Sequence, residues 1–343
     1  MPDNLPIPFP VFAALLRDVS RSFYLTLRVL PGKIRSQMGL AYLLARATDT
    51  IADTEIIALD RRLAALEVLR QRILGTTQTP LDFGELAQQQ GSPGERMLLE
   101  RSEEILRGLA SFSAADQKRI RAVLEIITGG QELDLNRFGG ASEQRIVPLK
   151  TDAELDDYTY RVAGCVGEFW TKMCRAHLFP KASLDDSSFL ANGIRFGKGL
   201  QLINILRDVP ADVRRGRCYV PEELLARHGL ILTDLLSASN EARFRPAYAV
   251  LLQRAEDHLE AGWLYTNMLP RRCARVRLAC AWAILIGVKT LQKLRSSPVL
   301  EARQPIKISR AEVRRLVWRS VLYYPITPAW KNLFYSARRP SQS

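Results

Sequence analysis

Cysteine and histidine are scarce in this chain. Five cysteines among 343 residues, with no Cys-x-x-Cys pair, exclude a disulfide framework and a zinc site, and fit a reduced, cytoplasmic compartment. Three histidines are too scattered to build a metal centre. There is no G-x-G-x-x-G and no P-loop, and strand-like alternation is rare, which excludes a nucleotide-binding α/β fold. Long apolar runs are also missing. The longest, LACAWAILIGV at 278–288, is far short of the roughly 20 residues of a membrane span and reads as a buried core helix. The start, MPDNLPIPFP, lacks the charged-then-apolar order of a signal peptide. Acidic residues are in deficit. Net charge is +13, of which +7 lies in residues 301–343, with nine Lys/Arg against two Glu. A basic excess fits nucleic acid, anionic lipid or an anionic substrate. No zinc-finger spacing or RNP aromatic signature supports nucleic acid, so no nucleic-acid partner is expected.

What is present is helical periodicity, over about 11–19, 34–54, 59–74, 95–110, 114–135, 152–178, 186–209, 221–227, 241–268, 272–295 and 309–322. Residues 75–94, 139–151 and 296–308 read as loops. No repeat and no domain boundary stands out. One all-α domain over 1–343 is expected, with a core at about 12–322. The basic tail 323–343, with Trp330, Phe334 and Tyr335 among its cations, is expected to be loosely ordered and suited to an anionic membrane surface.

The most informative stretch is 197–221, GKGLQLINILRDVPADVRRGRCYVP. Residues three and four apart lie above one another on a helix. Asn204, Asp208 and Asp212 therefore form one ladder of oxygen donors with Gln201 above them. Tyr42, Arg46, Asp49 and Asp53 form a similar stripe upstream. Most paired acids on helices are solvated faces, but these two pairs are flanked by apolar residues. A carboxylate there is costly unless it is paired or bound to metal. Arg46 and Arg207 could make plain salt bridges with the acids, or hold a polyphosphate shared with Mg²⁺. Pro210 is expected to end the second helix, leaving Asp212 on a turn. Ser20, Arg21 and Ser22 read first as a helix junction. Gly164 and Gly167, in mid-helix, fit the close approach of another helix or of a ligand.

Together these motifs resemble the squalene/phytoene synthase family over roughly residues 12–320. The resemblance rests on Tyr42-x-x-x-Arg46-x-x-Asp49-x-x-x-Asp53, on Gln201-x-x-Asn204-x-x-Arg207-Asp208-x-x-x-Asp212 with Gly216-Arg217-Cys218-Tyr219-Val220-Pro221, and on the block Tyr158–Gly167. It implies an all-α bundle of the isoprenoid synthase type around a central apolar cavity. Asp49, Asp53, Asn204, Asp208 and Asp212 would hold Mg²⁺. Ser20, Arg21, Ser22, Arg46, Gln201, Arg207 and Tyr219 would serve the diphosphates. Tyr158, Tyr42 and Arg46 would be catalytic, and Val162, Val166 and Gly167 would line the prenyl cavity. The N-terminal SRSFYLTLRVLP and the region LACAWAILIGVKTL…PIKISR look most like squalene synthases. That implies condensation of two farnesyl diphosphates through presqualene diphosphate, then reduction by NADPH held at Lys307 and Arg310. Here Ser309 stands where the family's second basic residue falls. The alternatives are a synthase that stops at presqualene diphosphate or makes dehydrosqualene or phytoene, and, more remotely, a non-catalytic basic lipid-binding helical protein.

Overall fold

Apolar periodicity and side-chain capping make most of the described chain helical. The computed structural model describes residues 9–20, 23–301 and 305–339. In chain order its helices are α1 (Phe9–Ser20), α2 (Phe23–Val29), α3 (Gly32–Asp53), α4 (Leu59–Leu74), α5 (Gly84–Gln88), α6 (Pro93–Glu100), α7 (Ser102–Ala110), α8 (Ala114–Phe138), α9 (Asp152–Thr159), α10 (Cys165–Leu178), α11 (Asp186–Arg214), α12 (Glu222–Arg227), α13 (Glu241–Met268), α14 (Ala274–Ser296), α15 (Arg310–Tyr323) and α16 (Thr327–Arg338). Two-residue strands, β1 (Val147–Pro148) and β2 (Arg217–Cys218), pair in parallel. The all-α expectation holds. Helix starts follow local chemistry. Ser113, Thr151 and Ser309 accept the Asp116, Glu154 and Glu312 amides at 3.2, 3.2 and 3.1 Å. Asp185 accepts those of Ser187 and Ser188, each at 3.1 Å. Each bond satisfies a donor that a first helical turn leaves without a partner. All five cysteines are buried and form no disulfide.

The chain packs as two compact units, the first within 1–139 and 169–180, the second within 140–168 and 181–343. One of the three crossings falls inside α10, and the others lie in the turns at 139–140 and 180–181. In the first unit α3 packs on α8, α4 and α7, with Leu43, Leu44, Ala47 and Ile51 of α3 buried, as are Leu69, Ile105 and Leu124 of those helices. The returning segment is tied in by His177, whose Nε2 lies 2.8 Å from the buried Asp116 carboxylate. Arg119 also donates to that carboxylate, at 2.8 Å. Residues 75–94, read as loop, contain α5 and the start of α6.

In the second unit α11 packs along α13, and α13 on α14. The tail departs from expectation. Instead of being loosely ordered, it forms α16, which docks on α14 and buries Trp330, Leu333, Phe334 and Ala337. Trp330 stacks on Trp263 with ring centroids 5.3 Å apart. Arg338 reaches the buried Glu256, 2.5 Å away. The aromatic and basic residues that suggested a solvated tail are the ones that fix it to the core.

Candidate active site

The first ladder lies on the last turns of α3. Its apolar face, with Leu44, Ala47 and Ile51 wholly buried, keeps Asp49 half-buried while Asp53 is exposed. Burial and the like charge of Asp53, four residues on, push the Asp49 carboxyl up to about 6, outweighing Arg46 and a hydrogen bond from Gln131. That bond comes from the Gln131 side-chain amide on α8 to Asp49 Oδ1. The Gln131 carbonyl oxygen is buried and has no hydrogen-bond partner. Arg46 is ion-paired with Glu95 of α6. Tyr42 donates to the Val19 carbonyl at 3.4 Å. Ser20, expected to serve phosphate, is instead buried at the end of α1 and donates to the Leu16 carbonyl. Arg21 and Ser22 lie outside the described residues.

The second ladder lies on α11. Asn204 is exposed, and Gln201, Arg207, Asp208 and Asp212 are half-buried. Asn204 donates to Gln201 Oε1 at 3.3 Å. Arg207 grips Asp208 through Nε at 2.9 Å and Nη2 at 2.5 Å. These bonds and the nearby charges of Asp208 and Asp212 raise the guanidinium further above its usual range.

Contrary to expectation, α11 does not stop at Pro210 but runs on to Arg214. Proline cannot donate to the carbonyl four residues earlier, here that of Leu206. The buried Tyr248 hydroxyl of α13 donates to that carbonyl instead, at 3.0 Å. With the lost bond replaced from outside the helix, Asp212 stays one turn beyond Asp208. The helix then turns at Gly216, whose φ of +80° favours glycine. A Cβ there would lie 2.2 Å from the Ser142 nitrogen. The turn delivers Arg217 and Tyr219, which line a narrow cleft with Asp212 and Val209.

Tyr158, on α9, stacks on Tyr219 with centroids 4.6 Å apart. One turn of π-helix, Tyr160–Gly164, joins α9 to α10. Such turns are rare and frequent at functional sites. Val162 and Val166 are half-buried. Gly167 packs against the backbone of α11: a Cβ there would meet the Gly193 oxygen at 2.0 Å, and one on Gly197 the Ala163 oxygen at 2.1 Å. Helix packing therefore accounts for Gly167. Lys307 and Arg310 are exposed, Arg310 at the start of α15.

Sequence reading missed Gln131, Glu95 and Tyr248, partners far away in the chain. Only the ELD acids just after Gln131 hinted at a polar stripe on α8. Each ladder supplies two carboxylates. Among the described residues no group of three or more His, Cys, Asp or Glu is assembled that could hold a metal. The donor set still suits a hard cation: oxygen atoms only, one carboxyl held against its own charge, and an unsatisfied amide oxygen beside it.

Comparison with known proteins bears on the family. The squalene/phytoene synthase family model matches residues 16–315. A presqualene diphosphate synthase of Rhodopseudomonas palustris is 28% identical over 291 residues, covering 84% of this chain and 89% of that protein. One of Sinorhizobium fredii is 28% identical, covering 88% and 93%. Among solved structures, TcSQS with the ligand E5700 superposes with a TM-score of 0.78 at 23% identity over 98% of this chain and 94% of that one. A dehydrosqualene synthase gives 0.68 at 21%, covering 93% and 96%. These structures share the fold. The two ladders, the tyrosine block and the family match over most of the chain have one reading: it belongs to the squalene/phytoene synthase family.

Proposed function

We propose that this chain condenses two farnesyl diphosphates head to head into presqualene diphosphate. The observation that carries the reading is the pair of acidic ladders, each beside an arginine, in a family member similar to presqualene diphosphate synthases over most of its length. Asp49, Asp53, Asn204, Asp208 and Asp212 would hold Mg²⁺. When bound, Mg²⁺ neutralises charge on the departing diphosphate. Arg46 and Arg207 would turn from Glu95 and Asp208 to the diphosphate oxygens, adding fixed positive charge where negative charge develops. Loss of diphosphate leaves an allylic cation. The double bond of the second substrate attacks it, and loss of a proton closes the cyclopropane. Tyr158, stacked on the Tyr219 ring, would act at this step, as its resemblance to the family's catalytic tyrosine implies. Tyr42 would line the same end. Val162 and Val166 would meet the prenyl chain, and apolar walls would keep water from the cation.

A second reading continues to squalene by hydride transfer from NADPH. Exposed Lys307 and Arg310 favour it, since they could grip the cofactor's phosphates. Long-chain substrates also fit peripheral contact with an anionic membrane. The test is incubation with farnesyl diphosphate and Mg²⁺, with and without NADPH, followed by mass spectrometry. Presqualene diphosphate under both conditions is expected. Squalene with NADPH, lost in Lys307→Ala/Arg310→Ala, would establish the second reading. No head-to-head product would overturn both.

A further inference from the structure

Helix α15 turns its hydrophobic side chains the wrong way for a packed helix. Its inner face is short: Leu316 and Ser320 are buried, and Ser320 accepts a 2.8 Å hydrogen bond from the Trp282 indole. Outward it presents Trp318 at 74% exposure, Leu322 at 66% and Val321 at 45%, with Ile326 at 54% just beyond its end. Trp318 and Leu322 are four apart and Trp318 and Val321 three apart, so they form one patch. Arg314 and Arg315 stand one turn before Trp318 on the same side and are exposed. Arg319 flanks the patch, its guanidinium 5.6 Å from the Tyr323 ring centre. The helix's one acid, Glu312, is already engaged, by Lys293 at 2.9 Å and by the Ser309 amide at 2.7 Å. Among the described residues of α15, no other acid offsets the arginines.

We infer that the outer face of α15 is a membrane-docking surface that seats on anionic phospholipid. An indole with aliphatic neighbours suits the boundary between headgroups and acyl chains, and flanking arginines suit lipid phosphates. Charge decides against a second copy of this chain as occupant, because a symmetric contact would set arginines against arginines. The surface also differs from the one read from the sequence. Trp330 and Phe334 of the tail are buried and cannot reach a bilayer, whereas Trp318 can.

The test uses the full chain and vesicles of phosphatidylcholine with and without phosphatidylglycerol. No prenyl diphosphate is present, so the result is independent of the proposed reaction. Trp318 is a built-in reporter, since Trp170, Trp263, Trp282 and Trp330 are all buried. Salt-sensitive binding to the anionic vesicles is expected, with a blue-shifted emission that Trp318→Phe loses. Trp318→Ser/Leu322→Ser and, separately, Arg314→Gln/Arg315→Gln should each weaken binding about tenfold while circular dichroism stays unchanged. Wild-type binding in both double variants, or no binding by the wild type, would overturn the inference. So would self-association in sedimentation equilibrium that Trp318→Ser/Leu322→Ser abolishes, which would make this face a contact between copies.

Discussion

Asp49 is the residue on which function and stability pull apart. Its carboxyl is half-buried, faces a like charge at Asp53 and is held up to about 6, so without a cation the folded chain gains little from ionising it. Asp49→Asn keeps the shape and a group able to meet the Gln131 side chain. In EDTA at neutral pH the variant is expected to be at least as stable as the wild type in urea denaturation, and up to about 2 kcal/mol more so. Millimolar Mg²⁺ should raise the wild-type midpoint and leave the variant's unchanged. Turnover should fall by several kcal/mol of leaving-group stabilisation, a factor of about a thousand or more. A Mg²⁺ shift that survives in the variant would remove Asp49 from the ligand set. The acids themselves were legible in the sequence, because i, i+4 spacing survives in any helix. Gln131 and Glu95 were not: each meets its partner through tertiary packing, which no local spacing encodes.

At the scale of the element, α11 shows where a local rule gives way. Proline in mid-helix was read as a stop, and the α11 backbone alone justifies that reading. The Tyr248 hydroxyl, from another helix, supplies the bond that Pro210 cannot. Tyr248→Phe leaves a buried carbonyl without a partner. It is expected to cost about 1–3 kcal/mol in urea denaturation and to speed amide exchange in residues 207–214 more than in α13. Turnover should fall with it, since Asp212 rides on the loosened turn. Uniform exchange throughout the second unit would show that the tyrosine acts only in global stability. Periodicity located most other helices well because their caps and apolar stripes are local, as with Ser113 on α8 and Ser309 on α15.

For the whole molecule, the tail was the least legible part. Its composition is that of an exposed segment, and only the packed structure shows Trp330 against Trp263 and Arg338 beside Glu256. A chain ending at residue 326 is expected to lose the second unit rather than a peripheral anchor. Four buried apolar side chains would go, at about 1.5–3 kcal/mol for each large one, and Glu256 would keep only Arg295 of its two cations. Circular dichroism and limited proteolysis would check this, and a fully folded, active truncation would refute it. The all-α class was legible throughout. The two units were not, because the chain crosses between them three times, once within α10 and otherwise at short turns that no linker composition marks. That path has a consequence for biosynthesis. Asp116 leaves the ribosome well before His177, and Glu256 before Arg338. Neither unit can close on a nascent chain as its N-terminal part emerges. The first waits for residues near 180, and the second for α16.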